Sequence, residues 1–291
     1  MHPRRDSTAR SRQFGDELRA KRKAADLRAT RLAAMLGWSP AKINKLESGE
    51  RGTSDVDVAV YLNSCGVVGD ELHRLLALNR ETSRGAWLDV MGLRPPNSPS
   101  RFIHEEARAV AITGYCSRFV PGLLQSHGYM EHVVRSGVEH RLRRQQLLRR
   151  SDRPDITFFV DEQVLRRPVG GPAVMHDQLM ALLFTPAVVR IVPVGEVVHS
   201  GLAHGDFVLR EYAEDRPVVY GEAWWASVYL EDAVVVEACV EAIGELAECA
   251  LDVEDSRAFV SALADEYGAS CASGDQARTR ASSGTSLSTR S

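Results

Sequence analysis

Cysteine pairs and long apolar segments are missing from this 291-residue chain. Its five cysteines are dispersed and include no Cys-x-x-Cys pair, which argues against a disulfide framework and against a zinc finger. No apolar run reaches the roughly 18 residues that a membrane-spanning helix needs. The first residues also lack the apolar segment of a signal peptide. We therefore expect a cytoplasmic protein.

Catalytic signatures are missing as well. The sequence contains neither a Gly-x-Ser-x-Gly nucleophile elbow nor a phosphate-binding glycine loop. His199 and His204 stand close together in a glycine-rich loop and could offer two metal ligands, but no third ligand lies nearby in the sequence. Trp224 and Trp225 are suited either to a ligand pocket or to core packing. We expect no enzymatic activity, no metal and no cofactor.

Charge is divided unevenly along the chain, although the formal net charge is only -3. Residues 1–51 contain 13 Lys/Arg and 6 Asp/Glu, whereas the remainder contains 23 Lys/Arg and 33 Asp/Glu. A basic first domain on an acidic body is typical of a modular DNA-binding protein, in which cationic side chains contact phosphates. The alternative is a chance fluctuation of surface charge.

The stretch 32–49 has the pattern of a helix, a tight turn at Gly37 and a second helix. Ser39 is a good N-cap because its hydroxyl can accept from the free backbone N–H groups of the first turn. Pro40 follows at the first helical position, where its missing N–H costs nothing. The helix should stop at Gly49, which suits a left-handed C-terminal cap.

Successive residues of a helix are rotated by 100°, so the second of these helices has two different faces. Ile43 and Leu46 share the inner face, with Glu47 at its edge. The opposite face carries small residues, an amide and cations, which is the chemistry of a recognition helix in the major groove. The alternative is a solvated face in a helical bundle. We predict base contacts from Pro40, Ala41, Asn44 and Lys45, and phosphate contacts from Arg28, Ser39, Lys42, Ser48 and Arg51.

The flanking residues extend this pattern. It runs through Phe14-Gly15-Asp16-Glu17-Leu18-Arg19, then Leu36-Gly37-Trp38-Ser39 and Ile43-Asn44-Lys45-Leu46-Glu47-Ser48-Gly49, to Ser54-Asp55-Val56-Asp57. Over residues 12–65 the chain resembles the Cro/CI-type (XRE family) helix–turn–helix regulators. The resemblance implies that Arg22 pairs with Glu47 at the edge of the core, which makes both residues structural.

One part of the family pattern is replaced. The usual Gly-Leu-(Thr/Ser)-Gln at the start of the second helix is Asp26-Leu27-Arg28-Ala29 here. The capping hydroxyl and the phosphate-binding glutamine are therefore both missing, and Arg28 is the residue that could supply charge in their place.

The second half of the chain mixes helices with short strands. Segments rich in β-branched and aromatic residues predict strands at 156–160, 188–193, 207–212 and 218–223. Helices are predicted at 101–111, 138–150, 173–183, 234–251 and 255–267. The segment Val120-Pro121-Gly122-Leu123-Leu124-Gln125 resembles a motif of a C-terminal domain of unknown function, found in many actinobacterial helix–turn–helix regulators.

These patterns define the expected architecture. We predict an all-α, five-helix helix–turn–helix domain followed by an α+β C-terminal domain. Within the first domain, the fourth helix is expected to direct Val56, Val60 and Leu62 inward. The predicted boundaries are a disordered arm at 1–11, a DNA-binding domain at 12–82, a linker at 83–100, the α+β domain at 101–268 and a disordered tail at 269–291.

Three hypotheses for function follow. The first is a homodimeric, sequence-specific transcriptional regulator that binds a double-stranded operator. The second, implied by the family resemblance, is an antitoxin-like interaction protein that binds a small protein encoded nearby and uses DNA binding for autoregulation. The third is a ligand-sensing or enzymatic C-terminal domain. The basic segment that contains Arg141 and Arg144 suits an acidic protein surface or phosphate, or a solvated face with ion pairs.

Overall fold

The structure is a computed structural model, and it describes residues 8–50, 53–81, 86–90, 101–134, 138–195, 205–223 and 226–284. Contacts between Cα atoms divide the chain into two compact units. The first unit combines Met1–Ala109 with Leu209–Glu237, and the second combines Val110–Val208 with Ala238–Ser291. Each unit is thus assembled from separate segments, whereas the sequence predicts one boundary at 83–100.

Five helices form the N-terminal part of the first unit, as predicted. Their apolar faces enclose one core, in which Leu18, Leu32, Ile43, Leu62 and Leu75 are fully buried. The helices are α1 (Ala9–Ala24), α2 (Ala29–Leu36), α3 (Pro40–Glu47), α4 (Asp55–Ser64) and α5 (Gly69–Glu81).

The start and end of α3 follow the predicted local chemistry. Ser39 Oγ accepts a hydrogen bond from the Lys42 backbone N–H at 3.2 Å, and Pro40 occupies the first helical position. Gly37 ends α2 with a left-handed backbone (φ 63°), and Gly49 follows α3 with φ 77°. The turn and the two helix ends are therefore encoded locally.

The predicted inner face of α4 is correct at Leu62 and wrong at Val56 and Val60. Val56 is 71% exposed and Val60 is 43% exposed, whereas Val58, Tyr61 and Leu62 are buried. Positions three and four apart share a helix face, so burial of Val58 selects Tyr61 and Leu62. The true stripe also contains a tyrosine hydroxyl, which matters for the site described below.

The remaining elements are a mixture of helices and strands. They are β1 (Ala86–Val90), α6 (Arg101–Arg108), β2 (Ala111–Cys116), α7 (His127–Val133), α8 (Val138–Gln145) with a 3-10 turn at Gln146–Arg149, β3 (Asp155–Asp161), α9 (Glu162–Arg166), α10 (Pro172–Leu183), β4 (Val188–Val192), β5 (Phe207–Glu211), β6 (Val218–Glu222), β7 (Ala226–Leu230), α11 (Ala233–Cys249) and α12 (Val253–Gly284). The predicted α+β class of the C-terminal part is confirmed.

In the first unit, β7 pairs antiparallel with β1 and with β6. Ala86 of β1 lies opposite Leu230 of β7. On the other edge of β7, Leu230 lies opposite Val219 of β6. β1 falls within the stretch that the sequence predicts to be a linker, and β7 is missing from the predicted strands. The partner of β1 is more than 100 residues away, so local pattern alone does not reveal β1, whereas β7 also pairs with the nearby β6.

The second unit contains three parallel strands, with β3 between β2 and β4. Its core includes Tyr115, Phe159, Val192 and Leu246. β2 was also missed, because Gly114 interrupts its apolar pattern. A Cβ at Gly114 would lie 2.8 Å from the Phe158 ring, so the neighbouring strand leaves no room for a side chain there.

The last helix is longer than the sequence predicts. α12 runs to Gly284, whereas the predicted helix ends at residue 267. The added segment contains no proline, and its alanine, arginine and glutamine residues favour helix. None of the helices within the described ranges combines the length and the apolar character needed to cross a bilayer.

Gly49 provides a test of this packing. A left-handed backbone costs a residue with a side chain about 1–2 kcal/mol, so Gly37→Ala, where nothing lies within 4 Å, should cost only that amount. A Cβ at Gly49 would lie 2.6 Å from the Arg12 backbone nitrogen, so Gly49→Ala should cost about 1–3 kcal/mol more. Urea unfolding of the two variants measures this difference, and equal costs would contradict the close packing.

Candidate nucleic-acid interface

One face of α3 is free of the core. Ile43 is fully buried and Leu46 is 2% exposed, whereas Ala41, Asn44 and Lys45 are exposed. The exposed side chains of Asn44 and Lys45 make no hydrogen bond or ion pair within the part of the chain that the structure describes. An amide and a cation are therefore available on one helix face with the chemistry to read base edges.

The residues predicted to hold phosphate have more varied surroundings. Ser39 is exposed at the N-terminus of α3, where its hydroxyl caps the helix. Lys42 Nζ lies 3.0 Å from Asp57 Oδ2 and 3.5 Å from the centre of the Trp38 ring. The Ser48 hydroxyl donates to the Lys45 carbonyl at 3.2 Å.

The two predicted arginine contacts lie outside α3. Arg28 is exposed at the N-cap position of α2, and its side chain makes no capping hydrogen bond. Its place at a helix N-terminus leaves both the cation and the free backbone N–H groups accessible to an anion. Arg51 lies outside the described residues, so its predicted phosphate contact stays a prediction.

A buried ion pair fixes α3 against α1 and α4. Arg22 Nε donates to Glu47 Oε1 at 2.6 Å, and Arg22 Nη2 donates to Glu47 Oε2 at 2.8 Å. This confirms the pairing implied by the family resemblance. The Tyr61 hydroxyl adds a third hydrogen bond, to Glu47 Oε1 at 2.7 Å.

The electrostatics of Glu47 depend on these donors. Burial by itself would raise the pKa of Glu47, but the hydrogen bonds from Arg22 and Tyr61 lower it below the ordinary value of 4.5. Burial and the hydrogen bond to Glu47 raise the pKa of Tyr61, so this hydroxyl stays protonated and donating. The carboxylate is therefore a charged, fully engaged group rather than a group available to DNA.

Two members of this arrangement were missed by sequence reasoning. Tyr61 is absent from the prediction because Val56 and Val60 set the predicted apolar stripe of α4. Asp57, which pairs with Lys42, stands in the first turn of α4, where an acidic residue is expected for the helix dipole alone. A helical register anchored on Val58 would have placed Tyr61 inward, whereas no local signal reveals the Asp57 contact.

The Val120–Gln125 segment of the second unit is a closely bonded loop. Gln125 Nε2 donates to the Val120 carbonyl at 2.7 Å, and Gln178 Nε2 donates to the Leu124 carbonyl at 2.8 Å. Gln145 of α8 donates to the Gln125 carbonyl at 2.7 Å. These glutamines satisfy backbone groups, which gives the segment a structural role.

Metal binding finds no support among the described residues. In the ranges that the structure covers, no group of three or more His, Cys, Asp and Glu side chains is arranged to hold a metal ion. His199 and His204, the two candidate ligands from the sequence, lie outside those ranges, as do Trp224 and Trp225.

Comparisons with known families agree with this geometry. Residues 13–75 match the model of a helix-turn-helix domain, so the protein is a DNA-binding regulator of the helix–turn–helix class. Residues 99–262 match a domain of unknown function (DUF5753). Because that match spans more than half of the chain, the protein belongs to the DUF5753 family. No curated protein matches the chain, and no solved structure matches it.

The buried pair yields a prediction about stability. Removing one partner of a buried ion pair costs about 3–5 kcal/mol, so Arg22→Met should destabilise the first unit by that amount. Arg19 also contacts Glu47, but its side chain is 40% exposed, so Arg19→Met should cost less than about 1 kcal/mol. Urea unfolding followed by circular dichroism measures both variants.

The same measurement has a defined pH dependence. The folded state lowers the pKa of Glu47, so its contribution is present above about pH 4.5 and is lost as the pH falls through the folded value. Arg22→Met should remove much of that acid sensitivity. If Arg19→Met proved as costly as Arg22→Met, Arg22 would not be the main partner of the buried carboxylate.

Proposed function

We propose that the protein is a sequence-specific transcriptional regulator of the Cro/CI type (XRE family), with the recognition helix at 39–48 in the major groove. The observation that carries this proposal is the exposed face of α3, where Asn44 and Lys45 lie side by side and free of internal partners among the described residues. Asparagine pairs well with adenine and lysine with guanine. The excess of cations in residues 1–51 supports the electrostatic part of binding.

Contacts with the DNA backbone are assigned to the rim of this face. Ser39 and Arg28 stand at the N-termini of α3 and α2, where the helix dipole also favours a phosphate. Ser48 and Arg51 are proposed to extend the phosphate contacts beyond the C-terminus of α3. Lys42 contacts Asp57 and Trp38. To bind a phosphate, its ammonium group must therefore leave the Asp57 carboxylate.

A homodimer fits this proposal. Helix–turn–helix proteins of this kind bind half-sites about one helical turn apart, and two copies of α3 then enter successive major grooves on one side of the DNA. We also propose that the protein acts as a regulator in an actinobacterial, antitoxin-like arrangement, in which the C-terminal domain binds a small protein partner or a ligand.

Substitutions on α3 test the assignment of the reading face. Operator duplexes are first selected from a randomised library with the full-length protein. Asn44→Ala and Lys45→Ala should each weaken binding to the selected duplex by about 1–3 kcal/mol, while binding to unrelated duplex changes less. Asn63→Ala, an exposed asparagine at the end of α4, is the matched control and should leave affinity unchanged. Unchanged affinity in both α3 variants would contradict the assignment.

The outer face of α8 is the proposed site for the protein partner. No residue of α8 is buried, Leu142 is 39% exposed, Arg143 is exposed next to it in sequence, and Arg149 is exposed in the 3-10 turn that follows α8. An apolar side chain among arginines suits an acidic protein surface with an apolar contact at its centre.

Charge reversal on this face tests the partner. The double variant R143E/R149E should lose co-purification of the small protein encoded beside the regulator while keeping its affinity for selected DNA. Arg153→Glu, an exposed arginine beyond α8, is the control and should keep the partner. Retention of the partner by the double variant would contradict the site, and loss of DNA binding in the same variant would assign the arginines to DNA instead.

A further inference from the structure

The first turn of α1 is inserted into a pocket of carboxylates within the first unit. The Ala9 N–H donates to Glu231 Oε1 at 2.6 Å. Arg12 is only 2% exposed, and its guanidinium lies 3.2 Å from Asp215 Oδ1 and 3.7 Å from Glu105 Oε2. The ring of Tyr212 lies under the same guanidinium, with 5.2 Å between the Arg12 Cζ atom and the ring centre.

The two sides of this pocket come from different parts of the chain. Glu105, Tyr212, Asp215 and Glu231 all lie within the DUF5753 match at 99–262, whereas Arg12 immediately precedes the helix-turn-helix match. We refer to the DUF5753 match at residues 99–262 as the family domain. Through this pocket, the family domain contacts α1, the helix that leads into the DNA-binding fold.

The charges in this pocket are complementary. The N-terminus of a helix carries partial positive charge, and Arg12 adds a full one, so α1 presents a cationic end. Glu105 is fixed by the Tyr212 hydroxyl, which donates to its Oε2 at 2.7 Å. A buried charge without a partner is costly. Removal of the Arg12 charge, or of the carboxylates around it, should therefore displace the first turn of α1.

Glu231 can change charge near neutral pH. Burial raises the pKa of Glu231 to about 7, opposed by the Ala9 N–H and by Arg12. Glu105 of α6 also raises it, and Arg216, near the start of β6, lowers it. Asp215 lies in the same segment between β5 and β6 as Arg216, and its carboxylate is 3.2 Å from the Arg12 guanidinium.

The opposite side of the same turn contacts the end of α3. The Ser11 hydroxyl donates to the Gly49 carbonyl at 2.8 Å, and both groups are buried. A Cβ on Gly49 would lie 2.6 Å from the Arg12 backbone nitrogen. Residues 9–12 therefore contact the family domain on one side and the C-terminal end of the DNA-reading helix on the other.

We propose that residues 9–12 couple the family domain to the DNA-reading helix, with Arg12 and Glu231 as positioning residues that set the end of α3 for operator binding. The part that concerns DNA rests on the proposed function, whereas the coupling itself does not. The element is short and buried at both contacts, so a disturbance of the carboxylate pocket reaches Gly49 without an intervening flexible segment.

Hydrogen exchange of the full-length protein without DNA tests the coupling. Arg12→Met keeps an unbranched side chain and removes the charge, and Glu231→Gln keeps the shape of the acid. In Arg12→Met, protection of the Ala9–Arg12 and Ser48–Gly49 amides should fall together by about tenfold, while amides of Val58–Leu62 in α4 change little. In Glu231→Gln, which holds the acid uncharged, protection of the same two segments should again change together. Arg80→Met, which removes an ion pair with Asp55 from a 69% exposed arginine, should change neither segment.

The pH profile separates positioning from simple packing. The folded state raises the pKa of Glu231, so the stability that depends on this acid is present near pH 6 and is lost as the pH rises through about 7. Protection at Ser48–Gly49 should therefore fall between about pH 6 and 8 in the wild type, and this fall should vanish in Glu231→Gln. Loss of protection confined to residues 9–12 would overturn the coupling. If Arg12→Met also lowers the protection of amides in α4, the coupling is judged from Glu231→Gln. A change in that variant that is confined to residues 9–12 would overturn the coupling.

Binding to the selected operator tests the consequence for DNA. Arg12→Met should weaken operator binding by about tenfold and leave binding to unrelated duplex within about twofold, because positioning affects the specific contacts. Coupled exchange with unchanged operator affinity would overturn the positioning role. Absence of any selectable operator would refute the proposed function, and the exchange experiment would still decide the coupling.

Discussion

The DNA-binding part of this protein depends on the buried carboxylate of Glu47. Arg22 of α1 and Tyr61 of α4 both donate to it, so one side chain of α3 is tied to two other helices. A buried charge is tolerated only with good partners, and here its oxygens meet donors at distances of 2.6–2.8 Å. The rotation of α3 about its own axis is thereby fixed, which keeps Asn44 and Lys45 outward.

The basic residues of the first unit accordingly divide by role. Arg22 is used for folding, and Arg12 is buried against carboxylates of the family domain. Lys45 and Arg28 remain exposed, which suits them to DNA. The excess of cations at the N-terminus is therefore partly internal, so the net charge of the segment overstates the number of phosphate contacts.

Local chemistry in the sequence predicted the region around α3 well. Ser39, Pro40 and Gly49 act within one helical turn of their own positions, so their effects follow from short-range rules. Arg22 and Glu47 were paired by family resemblance. The error at Val56 and Val60 has a different cause, because a run of alternating apolar residues leaves the helical register open until one inner residue is known.

Features that depend on distant pairing could not be read from the sequence. β1 is held by a partner far along the chain, and β2 is obscured by a glycine that the neighbouring Phe158 requires. The pocket around Arg12 is the extreme case, because 222 residues separate Ala9 from Glu231. The sequence predicts a disordered arm at residues 1–11, because no feature near residue 9 reveals the distant carboxylate that binds its backbone N–H.

The most direct measurement is a footprint of the purified full-length protein on the DNA upstream of its own coding sequence, at near-physiological salt and with competitor DNA. The proposed function predicts a discrete, two-fold-symmetric protected site whose halves lie about one helical turn apart. Uniform coating that disappears as salt rises would contradict it, because only the sequence-independent phosphate contacts would then remain.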